Sequence, residues 1–336
     1  MTTDPITSSE IATLWIVYQK KTMMLRVIES FLSHNQDPEA IEILQTFHDG
    51  ESNFVNELSN VFIQEGTAVP IEFTENDVNH SAPRLFDDVF EIMYLRTMMK
   101  VATGLHALHM SMSYRKDIME MHKRFSAFSE EFCIKTTQFL LEKGLLPKSP
   151  GVTLPNKVEF ADGKDYRSGF KMMGHRRSLS TVEVAYLYQA IESNVAGMKL
   201  MTGFAQAAKH KDVQKYFFRG KELSKTIIEK FSEVLLDSDI NVPSTAAGIV
   251  SDSTVSPFSD KLMMYNTSIL TSFGLGSNAI GTSFSLRKDL PAKMAVVGKD
   301  TFTFANDGGD LMIKHGWTEE PPQMEDRTQL SKKQGK

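Results

Sequence analysis

An internal repeat constrains the fold more than any other feature of this chain. Ile6-Thr7-Ser8-Ser9-Glu10-Ile11-Ala12-Thr13-Leu14 lines up with Leu179-Ser180-Thr181-Val182-Glu183-Val184-Ala185-Tyr186-Leu187, an offset of 173 residues. Val69-Pro70 matches Val242-Pro243 at the same offset, and Glu142-Lys143-Gly144 matches Lys314-His315-Gly316 at 172. Three anchors at nearly constant spacing mark a duplicated domain, which is what self-similarity at a fixed period signifies. The 336 residues then divide into a first unit at 1–144, a connection at 145–178, a second unit at 179–316 and a polar tail at 317–336. Two units also suit a chain of this length at about 150 residues per domain.

Within each unit the apolar residues recur at three and four, the period of a helix with one buried face. The first unit predicts four helices. Helix A (about 8–34) carries Ile11, Leu14, Tyr18, Leu25, Ile28 and Leu32. Helix B (about 38–65) carries Ile41, Leu44, Val55, Leu58 and Phe62 and starts at Asp37-Pro38, a capping residue followed by a first-turn proline. Helix C (about 83–112) carries Leu85, Val89, Ile92 and Met99. Helix D (about 115–143) carries Ile118, Met121, Phe125, Phe132 and Phe139 and stops at Gly144. The second unit repeats the pattern with more glycine in its third and fourth helices, which weakens the helical signal there.

Connection lengths set the topology. Helices A and B are joined by about three residues and must be antiparallel neighbours. Helices B and C are joined by about 17 residues, Gly66 to Ala82. A helix of 27 residues is about 40 Å long, and 17 extended residues reach about 55 Å, enough to return along the whole bundle. Helices B and C then run in the same direction, the one-crossover arrangement of ferritin-like bundles. The expected architecture is all-α: two tandem four-helix bundles of ferritin-like topology. The connection at 145–178 holds Val152, Leu154, Val158, Phe160 and Phe170 and reads as a strap packed across the first bundle. The tail beyond Pro321-Pro322 reads as frayed, its terminal lysines serving solubility.

Composition narrows the classes of function. Lys plus Arg number 37 against 42 Asp plus Glu, and the pI is near 6.0, so no basic excess marks a nucleic-acid binder. A single Cys133 excludes a disulfide framework and a thiolate zinc cluster, and it reads as a small buried apolar residue. No apolar run approaches the roughly 18 residues of a membrane span, and Met1 to Glu10 lacks the pattern of a signal peptide. A soluble cytoplasmic protein is expected.

Several stretches resemble a family of duplicated helical-bundle proteins of unknown function from spore-forming bacteria, related to spore coat protein F. The resemblance lies in Ser8-Ser9-Glu10-Ile11, in Phe73-Thr74-Glu75-Asn76-Asp77-Val78-Asn79 and in Ala82-Pro83-Arg84-Leu85-Phe86. In the second unit it lies in Phe218-Arg219-Gly220-Lys221-Glu222 and in Asp252 to Met264. It implies ferritin-like bundles, an association with spores through self-association or spore-coat partners, and room for a metal inside a bundle. It implies no activity and no catalytic residue.

No Glu-x-x-His occurs anywhere in the chain, so the ligand pattern of di-iron carboxylate bundles is missing. Gly274-Leu275-Gly276-Ser277-Asn278-Ala279 lies inside a predicted helix and not after a strand, so it is no dinucleotide fingerprint. The predicted topology nevertheless brings Glu10, Glu65, His106 and His122 to about one height. Two imidazoles with carboxylates suit Fe, Mn or Zn, and these four are the candidate metal ligands. The competing reading of Glu10 is structural: Thr7-x-x-Glu10 is a capping box, repeated at Ser180-x-x-Glu183. Likewise His106 and His109 near a helix C-terminus suit the helix dipole. One layer lower, Glu51 and Arg96 are expected to form a buried ion pair beside His48, with Glu131 nearby. The 19 methionines, several in adjacent pairs, fill a core or line a cavity for a small apolar molecule. A non-enzymatic, spore-associated structural or interaction role leads these expectations, with the metal-binding bundle second and the carrier third.

Overall fold

The computed structural model describes residues 4–161, 164–168, 177–243 and 248–333. Its long helices are α1 Ser8–Leu32, α2 Pro38–Gln64, α3 Asp88–Ser111 and α4 Lys116–Glu142 in the first half, and α5 Thr181–Ala207, α6 Lys211–Leu236, α7 Asp260–Phe284 and α8 Asp289–Lys314 in the second. A short α9, Arg327–Lys333, ends the described chain, where the sequence suggested fraying. The fold is all-α: among the described residues there is no strand, only two isolated bridges.

Local chemistry sets the helix ends. The Thr7 hydroxyl accepts from the Glu10 N–H while the Glu10 carboxylate accepts from the Thr7 N–H, and Ser180 and Glu183 repeat this reciprocal box at the start of α5. Asp37 caps α2 through the N–H groups of Glu39 and Ala40, with Pro38 in the first turn. Helix α3 begins at Asp88 and not near 83, because the Asp87 carboxylate caps it by accepting from the Phe90 N–H.

Each half pairs its helices as two hairpins. Lys21 on α1 meets Glu51 on α2, and Asn35 after α1 meets Glu91 near the start of α3. Helix α1 is therefore antiparallel to both α2 and α3, and α2 and α3 run the same way, as the crossover length requires. The halves are not separate. One core runs through both, carrying Phe31, Phe86, Phe90, Phe204, Phe217 and Phe258. Each half adds a smaller core of its own, around Trp15, Phe62 and Phe125 in the first and around Ile191, Phe231 and Met294 in the second.

The two long crossovers hold the halves together by pairing with each other. Val78 bridges Phe258 and Phe86 bridges Val250, both antiparallel. Ser259, which caps α7, donates its backbone N–H to Asp77 O at 2.8 Å and its hydroxyl to Asp77 Oδ1 at 2.6 Å. Asp87, the equivalent cap of α3, accepts from the Ile249 N–H at 2.7 Å through its side chain. Each half thus completes the start of the other's third helix around a pseudo-twofold axis.

Two expectations are corrected. Glu51 pairs with Lys21 and not with Arg96. Arg96 faces the other half, where it pairs with Glu192, and it also donates to Thr137 Oγ1 on α4 at 2.9 Å, and Glu131 pairs on the surface with Lys135. The connection is no packed strap in its described part: Val152, Leu154 and Val158 are exposed and Phe160 is 93% exposed. These apolar residues are isolated among proline, glycine and lysine, so no face of them is continuous enough to dock. Phe170 lies outside the described residues. Cys133 is half-buried beside the shared core.

Candidate metal centre

The turn between α3 and α4 is clamped to the start of α1. One oxygen of Glu10 accepts the Tyr114 N–H at 2.8 Å and the Arg115 N–H at 2.7 Å, while the other serves the Thr7 box. This fixes the height at which α3 and α4 face each other. His106 and His109, one turn apart on the same face of α3, then meet His122 on α4. The His106 and His122 rings lie 6.1 Å apart and those of His109 and His122 5.5 Å apart. One nitrogen from each of the three rings lies within 4.8 Å of one from each of the others.

All three histidines are buried. Neither nitrogen of His106 has a hydrogen-bond partner, nor does Nδ1 of His109 or of His122. Buried polar atoms in native proteins are almost always paired, so four orphans in one place are unusual. His122 Nε2 makes a long 3.4 Å contact with Thr13 Oγ1, whose own proton goes to the Glu10 carbonyl at 3.0 Å. The Thr13 oxygen can therefore only accept, so His122 donates from Nε2 and keeps an unpartnered lone pair on Nδ1. A ring nitrogen held this way by a neighbouring oxygen is how metal-bound histidines are oriented.

Electrostatics keep the rings neutral. Burial pulls the His109 and His122 pKa values down to about 4, helped by Lys20 for the former and by His109 and Lys21 for the latter. The His106 pKa is also held well below the ordinary histidine value by burial, with Lys21, Lys20 and the other two rings acting the same way. Lys21 is neutralised by Glu51 at 2.7 Å. Lys20 is fully buried with no carboxylate in ion-pair reach among the described residues, and burial brings its pKa down to about 8.

Of the four ligands expected from sequence, the structure brings His106 and His122 together and holds Glu10 and Glu65 elsewhere. Burial works to raise the Glu10 pKa, but the N–H groups of Arg115, Thr7 and Tyr114 and the Thr7 hydroxyl outweigh it and lower the value. Glu65 pairs with Arg115 at 2.6 Å. His109, Lys20 and Lys21 complete the cluster and were not among the expected residues. The three-residue spacing of His106 and His109 was the available signal for the first. For the lysines there was none, because α1 is buried on nearly every side and shows no stripe from which a buried lysine stands out.

The second half keeps the clamp and loses the cluster. Glu183 accepts the Arg287 N–H at 2.9 Å as Glu10 accepts that of Arg115. That equivalence fixes an offset of 172 for the third and fourth helices and 173 for the first and second. Lys20, Lys21 and Glu51 then become Ser193, Asn194 and Ser224, and His106, His109 and His122 become Asn278, Gly281 and Met294. Every ionisable member is replaced by a neutral one.

A family model described as a protein of unknown function, DUF3231, matches residues 1–158 and again residues 167–330. No curated protein matches the chain. Among solved structures, the crystal structure of a candidate spore coat protein from Bacillus halodurans is similar at 18% identity and a TM-score of 0.40, covering 45% of this chain and 97% of that one.

Proposed function

The chain belongs to the DUF3231 family of proteins of unknown function, whose domain it carries twice, and from that premise we propose that its first half is a metal-binding helical bundle with His106, His109 and His122 as ligands. What carries the reading is the set of unpartnered nitrogens on three buried, neutral, mutually close imidazoles. Neutral imidazole is the ligating form, so the depressed pKa values leave the lone pairs available at pH 7.

The donor set favours zinc over iron or manganese. Three imidazoles with an open fourth position is a recurring zinc arrangement, whereas iron and manganese sites draw on carboxylates. The two nearby carboxylates are committed, Glu10 to backbone N–H groups and Glu51 to Lys21. A zinc ion so held supplies Lewis acidity at its open position. Thr13 orients His122, and the Lys20 ammonium favours an anion over a neutral molecule as the fourth partner. The setting we propose, from the motifs that resemble those of spore-forming bacteria, is the sporulating cell, where fractionation of the protein with spores is the check.

The test is elemental mass spectrometry of protein purified without a tag or added metal. About one equivalent of zinc per chain is expected, retained in Glu65→Gln and lost in His106→Gln and His122→Phe. Wild-type protein that carries no metal and takes up none from added zinc chloride overturns the reading.

A further inference from the structure

A cavity of about 130 Å³, partly open to solvent, lies between the helices of the second half. Ser193, Asn194, Ser224, Asn278, Gly281 and Met294 all line it, and these are the six positions that hold the lysines, glutamate and histidines of the first half. The cavity is thus the counterpart of the metal cluster: the same place between four helices, emptied of long and charged side chains. Phe90 and Tyr94 of α3 close one side, so the wall includes the contact between the halves.

We infer that this cavity is a binding site for a small, uncharged ring compound that carries one hydroxyl or N–H group. Size sets the first limit. A cavity of about 150 Å³ in a protein core holds benzene, so this one suits a single ring with a small substituent. Charge sets the second: no acidic, basic or histidine side chain lines the cavity, and an ion buried there would meet no counter-charge. The walls are mostly apolar, with Leu200, Ile227, Phe231 and Val297 among them.

The hydrogen-bonding groups set the third limit. Thr267, Thr271 and Thr301 line the cavity, and each donates its single hydroxyl proton to a carbonyl of its own helix, at 2.8, 3.0 and 2.9 Å. Their oxygens can only accept from a guest. Asn278 likewise commits a donor to Met294 O at 2.8 Å. The three threonines thus offer a guest only acceptors, so a guest with a donor, such as a phenol, is held in preference to a plain hydrocarbon, and the inference holds whether or not the first half binds metal.

Isothermal titration calorimetry with phenol, benzene and benzoate tests it. Phenol should bind one per chain, about three- to tenfold tighter than benzene, as one neutral hydrogen bond allows, and benzoate should not bind. Gly274→Leu and Ser224→Leu, which fill the cavity from different helices, should each weaken phenol at least tenfold. A Cβ at Gly274 meets nothing within 4 Å, so that variant has room for its side chain. Location is read separately in wild-type protein from methionine methyl NMR. Phenol should shift Met201 and Met294, which line the cavity, and leave Met121 of the first half in place. No saturable phenol binding at millimolar concentration, or binding that leaves Met201 and Met294 unshifted, overturns the inference.

Discussion

Lys21 Nζ lies 2.7 Å from Glu51 Oε2 with both side chains only 2% exposed, so the first half carries an ion pair in its interior beside three neutral histidines. Such a pair adds little net stability against an apolar substitute, but removing one partner strands the other charge out of water. Glu51→Gln should therefore cost about 3–5 kcal/mol of unfolding free energy in urea titrations. The double variant Lys21→Met with Glu51→Leu should recover most of that loss. A single variant as stable as wild type would mean that Lys21 sheds its charge at no cost.

The histidine cluster predicts an acid-sensitive window in metal-stripped protein. The unfolded chain binds protons near the ordinary histidine pKa of about 6.5, while His109 and His122 in the fold resist them down to about 4. The unfolded state binds more protons between those values, so stability falls as pH drops through the window and is flat above it. Each of the two should account for about 2 kcal/mol between pH 7 and pH 5. His122→Phe should lose about 2 kcal/mol less over that interval, as urea unfolding at the two pH values would show. Equal losses in both proteins would place the proton uptake elsewhere.

Glu183 works in the opposite sense. Burial tends to raise its pKa, but the Arg177 guanidinium and the N–H groups of Ser180 and Arg287 outweigh burial and hold it at about 2. A carboxylate so depressed contributes stability above about pH 4.5 that disappears as pH falls towards 2. Glu183→Gln should cost about 3 kcal/mol at pH 7 and nothing near pH 2. A cost that is the same at both pH values would assign the residue a packing role alone.

Gly248 sits in the second crossover at φ +65, and a Cβ there would clash with Asp87 Oδ1 and lie 2.8 Å from the Phe90 backbone N. The left-handed backbone favours glycine on its own account, and the contacts remove the room for any side chain. Gly248→Ala should lower stability by about 2–4 kcal/mol, by unseating the Asp87 cap of α3 along with the strained turn. Thermal unfolding followed by circular dichroism reads it. A midpoint unchanged from wild type would show that the crossovers part without consequence for α3.

Much of the fold was legible because its signals are local. Asp37-Pro38, Thr7-x-x-Glu10 and Ser180-x-x-Glu183 are caps in the structure as in the sequence, and the repeat places the second set of helices. Connection length alone brought His106 opposite His122. Such reasoning yields height along the bundle and not direction around each helix, which is why Arg96 was turned towards Glu51 when it faces Glu192 across the halves. It also treats all carboxylates at one height alike, whereas Glu10 sits among free N–H groups at a helix turn and takes those. The cavity was beyond reach for a further reason. It arises where Ser193, Ser224 and Gly281 are each too small at the same level on three helices, a coincidence that no single helix records.

The mutual pairing of the crossovers recasts what the connection at 145–178 is for. Val78 with Phe258, Phe86 with Val250 and the shared core hold the halves in register without it. Its exposed stretch around Leu154 and Phe160 is open to a protease. Nicked there, the molecule would behave as a split protein whose two fragments stay together, and the covalent link would matter for ensuring that two unlike partners always meet in equal number.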